Sequence, residues 1–263
     1  MEKNIKKLLH EFNIINSMQW IKGVNNNLSS VGNTFESLLR KKADSEIFPD
    51  YFDIEIKCSQ RFSNYPLKMF NKVFDGPKLF ETNYITNTYG NTYEYSNKKY
   101  LFVNLVINKF VRVYEKYYFL LSLSKKDNRI IVDIFDLDYN LLDSAYIDFQ
   151  SVYEHLILKM SNLALVYASK KEENGDKYFR YYSITFYKLK NFDTFIDLIQ
   201  NGIVKLSIHC RALFSSDDFG KQKNKGINFS IEKNNISCLF NKILEYNADD
   251  QMIKINSDYY FNN

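Results

Sequence analysis

The densest chemistry in the chain lies between residues 49 and 57, where Pro49-Asp50 is followed, after four residues, by Glu55-Ile56-Lys57. On an extended strand, side chains alternate between faces, so Glu55 and Lys57 point the same way. Asp50, at the strand entrance, can turn in beside Glu55, so that two carboxylates and one amine converge. Phosphodiester hydrolysis needs this combination. Hard carboxylate oxygens, with the Ile56 carbonyl as a third ligand, suit Mg2+. The metal offsets charge developing on the phosphate and makes water a better nucleophile. A lysine beside it orients or deprotonates that water. Asp50, Glu55 and Ile56 are therefore the candidate metal ligands, and Lys57 the candidate group that positions water. Asp53 falls on the face of Glu55 and Lys57 and is the alternative first acid. Pro49 pre-sets the turn and favours Asp50. The bare pattern recurs by chance in a Lys- and Glu-rich chain, and it also describes an edge strand with solvated charges.

Several elements must hold this segment. Residues 3–20 place Ile5, Leu8, Leu9, Phe12 and Ile15 at helical spacing, which predicts an amphipathic packing helix. A second helix starts near Asn33, with Glu36 completing a capping-box pattern. Residues 48–58 read as a turn entering a short strand. Tyr100–Ile107, Tyr117–Ser122 and Arg129–Phe135 are rich in β-branched and aromatic residues and read as strands. A helix follows over Phe149–Leu163. Leu165–Ala168 and Tyr178–Tyr187 form strands around the turn Glu173-Asn174-Gly175-Asp176. A short helix over Phe192–Asn201 and strands over Ile203–Leu213 and Ile227–Ile231 come next. Asn235 caps a last helix running to about Tyr246. The mixed order predicts an α/β or α+β fold, of which the α/β form, a mixed sheet with flanking helices, is the one expected. Neither a repeat nor a linker divides the chain, so residues 1–263 read as one domain.

Composition narrows the class. The chain has 263 residues, 45% hydrophobic, with a net charge of +4. This mild basicity permits nucleic-acid binding without requiring it. Three scattered cysteines suggest neither a disulfide framework nor a zinc site and fit a reducing cytoplasm. No signal peptide and no apolar run long enough for a bilayer is seen. His10, His155 and His209 lack metal-ligand spacing and read as structural or surface residues, and Trp20 reads as core. No Walker-type loop or GxSxG elbow is present.

The segment around the acids carries more than the triplet. Gly32-Asn33-Thr34-Phe35-Glu36 precedes Pro49-Asp50, then Glu55-Ile56-Lys57, then Arg61-Phe62-Ser63. This order resembles the catalytic core of the MvaI/BcnI restriction endonuclease family, which is related to the mismatch-repair nickase MutH. Leu158–Ala212 resembles the family's central section, including a Lys-bearing helix. Gly220–Phe240 resembles its C-terminal section, with Asn224-Lys225-Gly226-Ile227-Asn228-Phe229 where the family has Asn/Asp-His-Gly-Thr-Ala-Phe. Coverage runs from roughly Trp20 to Phe240.

The resemblance implies a PD-(D/E)xK fold of two lobes, catalytic and DNA-recognising, around a DNA cleft. It implies double-stranded DNA as substrate, Mg2+ as cofactor, a monomer, and a cognate DNA methyltransferase in the same system. Carried over, Glu36 joins Asp50, Glu55 and Lys57 as an outer acid. Lys225 replaces the family histidine and cannot serve as a neutral acceptor. A short GC-containing site, CCNGG-like, is the expectation. Candidate DNA contacts are Arg61, Ser63 and Lys68 after the catalytic strand, Lys159 on its helix, Arg211 at a strand end, and Lys221, Lys223, Asn224 and Lys225 in a basic loop flanked by glycines. The expected activity is a type II restriction endonuclease. A MutH-like nickase and a non-catalytic DNA-binding protein are the alternatives.

Overall fold

The computed structural model describes residues 2–39, 48–81, 83–94, 99–212, 222–223, 226–249 and 252–255. The chain folds into two compact units built from interleaved segments. The first comprises residues 1–65, 155–191 and 236–263, and the second comprises 66–154 and 192–235. The helix Phe149–Met160 carries the chain across one boundary.

The first unit is a six-stranded sheet. Its strand order is Met252–Ile255, Phe240–Asn247, Asp176–Leu189, Asn162–Glu173 and Glu55–Gln60, with Ile21–Lys22 pairing onto Asp176–Leu189. The long hairpin turns at Asn174-Gly175, where both residues take positive φ (53° and 81°). An Asn-Gly pair adopts this mirror-image turn readily, and the turn's twist matches the strands it joins. Glu55–Gln60 is the edge strand and runs parallel to its partner, with Glu55 opposite Leu163 and Lys57 opposite Leu165.

One core of this unit is built from helix Glu2–Ser17, helix Ser30–Leu38 and the sheet. Leu8, Phe12, Phe35, Ile56, Phe179 and Tyr181 are all fully or nearly fully buried in it. Tyr181 also ties the second helix down, because its hydroxyl donates to the Val31 carbonyl at 2.7 Å. Tyr181→Phe keeps the ring and removes one buried hydrogen bond, a loss of about 1 kcal/mol. A melting temperature lower by about 2–4 °C is the expected result; an unchanged melting curve would show that the bond contributes nothing.

The second unit holds a six-stranded sheet and a four-stranded meander. The first runs Leu67–Lys72, Ile227–Ile231, Val204–Ala212, Lys99–Leu105 and Asn91–Thr92, with Gln222–Lys223 on Val204–Ala212. The meander is Phe110–Val113, Tyr117–Ser124, Arg129–Phe135 and Leu141–Asp148. Alternating burial marks one face of each sheet as core: Leu101, Val103 and Leu105 in the first, Ile130, Val132 and Ile134 in the meander. Among the described residues no helix is long and apolar enough to cross a membrane.

Several expectations change. The second helix starts at Ser30, one turn before Asn33, and Ser29 at its N-cap makes no side-chain capping bond. Asn33 therefore sits inside the helix, and the capping box does not form. The expected last helix is only Ile236–Leu239, followed by the strand Phe240–Asn247. Pairing with Asp176–Leu189 outweighs the helical signal there. Trp20 is 38% exposed, with the Lys171 ammonium 5.0 Å from its ring centroid, rather than in the core. The three cysteines are free.

Candidate active site

A tight turn delivers the acids to the strand. Tyr51 and Ile54 exchange backbone hydrogen bonds at 2.9 Å each, closing a two-residue loop of Phe52 and Asp53. Phe52 takes φ 53° to do so. Asp53 thus lies in the turn, not on the strand. Its carboxylate accepts from Asn4 at 2.7 Å and from Asn162 at 3.1 Å. It joins the first helix to the sheet. Asp50 instead accepts from the Ile56 backbone N–H at 3.0 Å, across the mouth of the strand. The geometry therefore gives the two acids different roles. Asp50 bonds to the strand Glu55–Gln60, and Asp53 ties that turn to Asn4 and Asn162.

Glu55 is the centre of the arrangement. It is fully buried, and one carboxylate oxygen accepts from Lys57. The Lys159 ammonium lies 3.6 Å from that same oxygen. The other oxygen, Oε2, is buried with no hydrogen-bond partner. Burial pushes the Glu55 carboxyl above the usual range. Lys57 and Lys159 oppose that rise, and Asp50 adds to it. Leaving a charged acceptor unpaired costs about 1–3 kcal/mol or more. A cation at Oε2 would remove this cost. Asp50 and Glu55 supply hard oxygens of the kind a small divalent ion takes. Among the described residues no group of three His, Cys, Asp or Glu side chains gathers for a metal.

Lys159 enters this site from the helix Phe149–Met160, and its side chain is largely buried. The sequence placed it among candidate DNA contacts; in the structure its ammonium lies beside the Glu55 carboxylate. Its positive charge favours ionised Glu55. Lys159→Met keeps the length and removes the charge. Cleavage slower by roughly tenfold at limiting Mg2+ is the expected result, equivalent to about 1.4 kcal/mol. It would be partly rescued at high Mg2+; wild-type rates at all Mg2+ concentrations would dismiss the role.

Glu36 lies on the helix that packs against the other face of the strand. Its charge acts on Cys58 and Tyr181, and Asp50 and Lys57 also act on Cys58. Gly32 leaves space beside the Glu36 carboxylate, where a Cβ would sit 3.6 Å away.

The remaining candidates divide. Arg61 follows the strand, with its backbone N–H on the Ala168 carbonyl at 3.0 Å and its guanidinium 5.5 Å and 5.6 Å from the Phe62 and Tyr182 ring centroids. Ser63 belongs to the same turn. Lys68 is exposed on the strand Leu67–Lys72, which belongs to the second unit, whereas Arg61 and Ser63 belong to the first. Arg211 and Lys223 are opposite one another in an antiparallel pair. Lys221, Asn224 and Lys225 lie outside the described residues. Gly226 ends that basic segment at φ 63°, where a Cβ would collide with the Lys72 carbonyl oxygen, so only glycine fits. Sequence reasoning missed the polar residues Asn71, Asn104 and Ser207, and named Asn228 only as part of the Asn224–Phe229 block. Their signal was alternation with buried apolar neighbours along each strand.

The model of the MvaI/BcnI restriction endonuclease family matches residues 9–240. The chain belongs to this family. Among solved structures it is similar to the restriction endonuclease MvaI in complex with its cognate DNA substrate, at 24% identity and a TM-score of 0.84. That match covers 97% of this chain and 99% of the other. It is also similar to MvaI in the absence of DNA, at 23% identity and a TM-score of 0.55, covering 92% and 97%. At these identities the likeness establishes the restriction-endonuclease-like fold. No curated protein matches the chain.

Proposed function

We propose that this member of the MvaI/BcnI family is a type II restriction endonuclease that hydrolyses both strands of duplex DNA at a short specific site, with Mg2+. The observation that carries the reading is Glu55: buried, one oxygen held between two lysines, the other unpartnered, and Asp50 at its side. An interaction protein has no use for such a group.

Asp50 and Glu55, with the Ile56 carbonyl, would hold the ion. When bound, Mg2+ supplies charge neutralisation at the phosphate and acidifies water. The chain's own groups do the rest. Lys57 orients the attacking water by donation and offsets phosphate charge. Lys159 keeps Glu55 ionised against the cost of burial. Glu36 acts as an outer acid, steadying water near the ion. Attack on phosphorus breaks the bond to the 3′ oxygen, leaving 5′-phosphate and 3′-hydroxyl ends.

The first unit would cut, and the second, with Arg211 and the basic segment Lys221–Lys225, would read DNA. Arg61 and Ser63 would hold phosphates beside the cut. The protein would act as a monomer in the cytoplasm. A methyltransferase of the same sequence specificity would protect host DNA.

Supercoiled plasmid digested in Mg2+ tests this reading. Linear product as the end point supports it. Nicked circles as the end point would indicate a MutH-like nickase, and intact plasmids carrying every short site would indicate a non-catalytic DNA-binding protein.

A further inference from the structure

One face of the second unit's six-stranded sheet carries a row of amides. Asn71 is opposite Asn228, Asn228 is opposite Ser207, and Ser207 is opposite Asn104. Directly paired residues put their side chains on the same face. Three amides and a hydroxyl thus cross four adjacent strands. Their chain neighbours Phe229, Leu206 and Val103 are buried on the opposite face.

Asn71 and Asn104 are exposed, and Ser207 is half-buried. Asn71 and Asn104 make no side-chain hydrogen bond among the described residues. Asn228 is buried. Its amide nitrogen donates to the Ser207 carbonyl at 3.1 Å, and its amide oxygen has no partner. One level along the sheet, Lys68 is opposite Ser230, so a cation flanks the row.

Amides add no net attraction for phosphate. They offer a donor and an acceptor side by side. In the major groove one base edge matches that pair best, the N7 acceptor and N6 donor of adenine. Guanine shows two acceptors there and suits Arg or Lys. Strands are about 4.8 Å apart, so the row is roughly 14 Å long. That is close to the rise of four base pairs, at about 3.4 Å each. We infer that this face reads the DNA site and that the exposed amides at the two ends of the row, Asn71 and Asn104, select A·T pairs within it, with the buried Asn228 and half-buried Ser207 holding the strands between them. The inference rests on the endonuclease reading and adds A·T pairs to the GC-containing, CCNGG-like site expected from the family resemblance.

The test uses the purified full chain and a duplex library with a randomised segment. Cut ends are sequenced in Mg2+, and bound fragments in Ca2+. The wild-type site is expected to hold A·T pairs at fixed positions. Asn71→Ala and Asn104→Ala should each lower the preference at one of these by roughly ten- to a hundredfold and leave G·C positions alone. Loss of selective binding with unchanged melting also supports the inference. The two exposed positions decide the matter, because Asn228 between them is buried. A site of G·C pairs only, or unchanged preference in both exposed variants, overturns this inference alone. A wild-type chain that neither cuts nor selects any sequence overturns the endonuclease reading itself.

Discussion

Glu55→Gln should fold, bind its DNA site in Ca2+, and cut it in Mg2+ about a thousandfold more slowly than the wild type. Gln matches Glu in shape, so the core around it is kept. What is lost is the charge. Glu55 Oε2 is buried without a partner, and a neutral amide there cannot hold a divalent ion as a carboxylate does. Lys57 and Lys159 also lose the carboxylate between them. The size follows from removing a preorganised charge in a water-excluded site, where single groups account for a hundred- to a thousandfold. Lys57→Ala should give a loss of similar order through the attacking water. Single-turnover rates with filter binding in Ca2+ separate chemistry from affinity. Full activity in either variant would refute the site.

Asp50→Ala and Asp53→Ala should differ in kind. Asp50→Ala should slow cleavage by roughly a hundredfold or more, because the acid beside Glu55 is gone. Its hydrogen bond to the Ile56 N–H is also lost, which loosens the strand entrance. Asp53→Ala should cut at close to the wild-type rate and melt earlier. It strips acceptors from Asn4 and Asn162, at about 1–3 kcal/mol. Melting curves and cleavage rates measured on both variants check this. An inactive Asp53→Ala beside an active Asp50→Ala would reverse the assignment of the metal ligand.

The sequence pattern around Glu55 was legible because strand alternation alone puts Glu55 and Lys57 together. The choice between Asp50 and Asp53 was not. Alternation extrapolated backward from Glu55 puts Asp53 on the face of Glu55 and Lys57. The turn closed by Tyr51 and Ile54 breaks the strand there and sends Asp53 to Asn4 and Asn162. Lys159 was visible as a lysine on a helix, but its partner is 104 positions away in sequence, and only tertiary packing joins them. The amide row was hidden for a related reason. Each Asn looks like an ordinary solvent-side position until the register of four strands is known. The strand over Phe240–Asn247 read as helix because its residues suit both states, and pairing to a neighbouring strand decides.

Digestion of a fully sequenced genome by the purified protein, followed by sequencing of all cut ends, tests the central claim most directly. The predicted result is cleavage only with a divalent metal, at one short motif, on both strands, with 5′-phosphate ends. Absence of cleavage in Mg2+, or breaks scattered without a shared sequence, would contradict it.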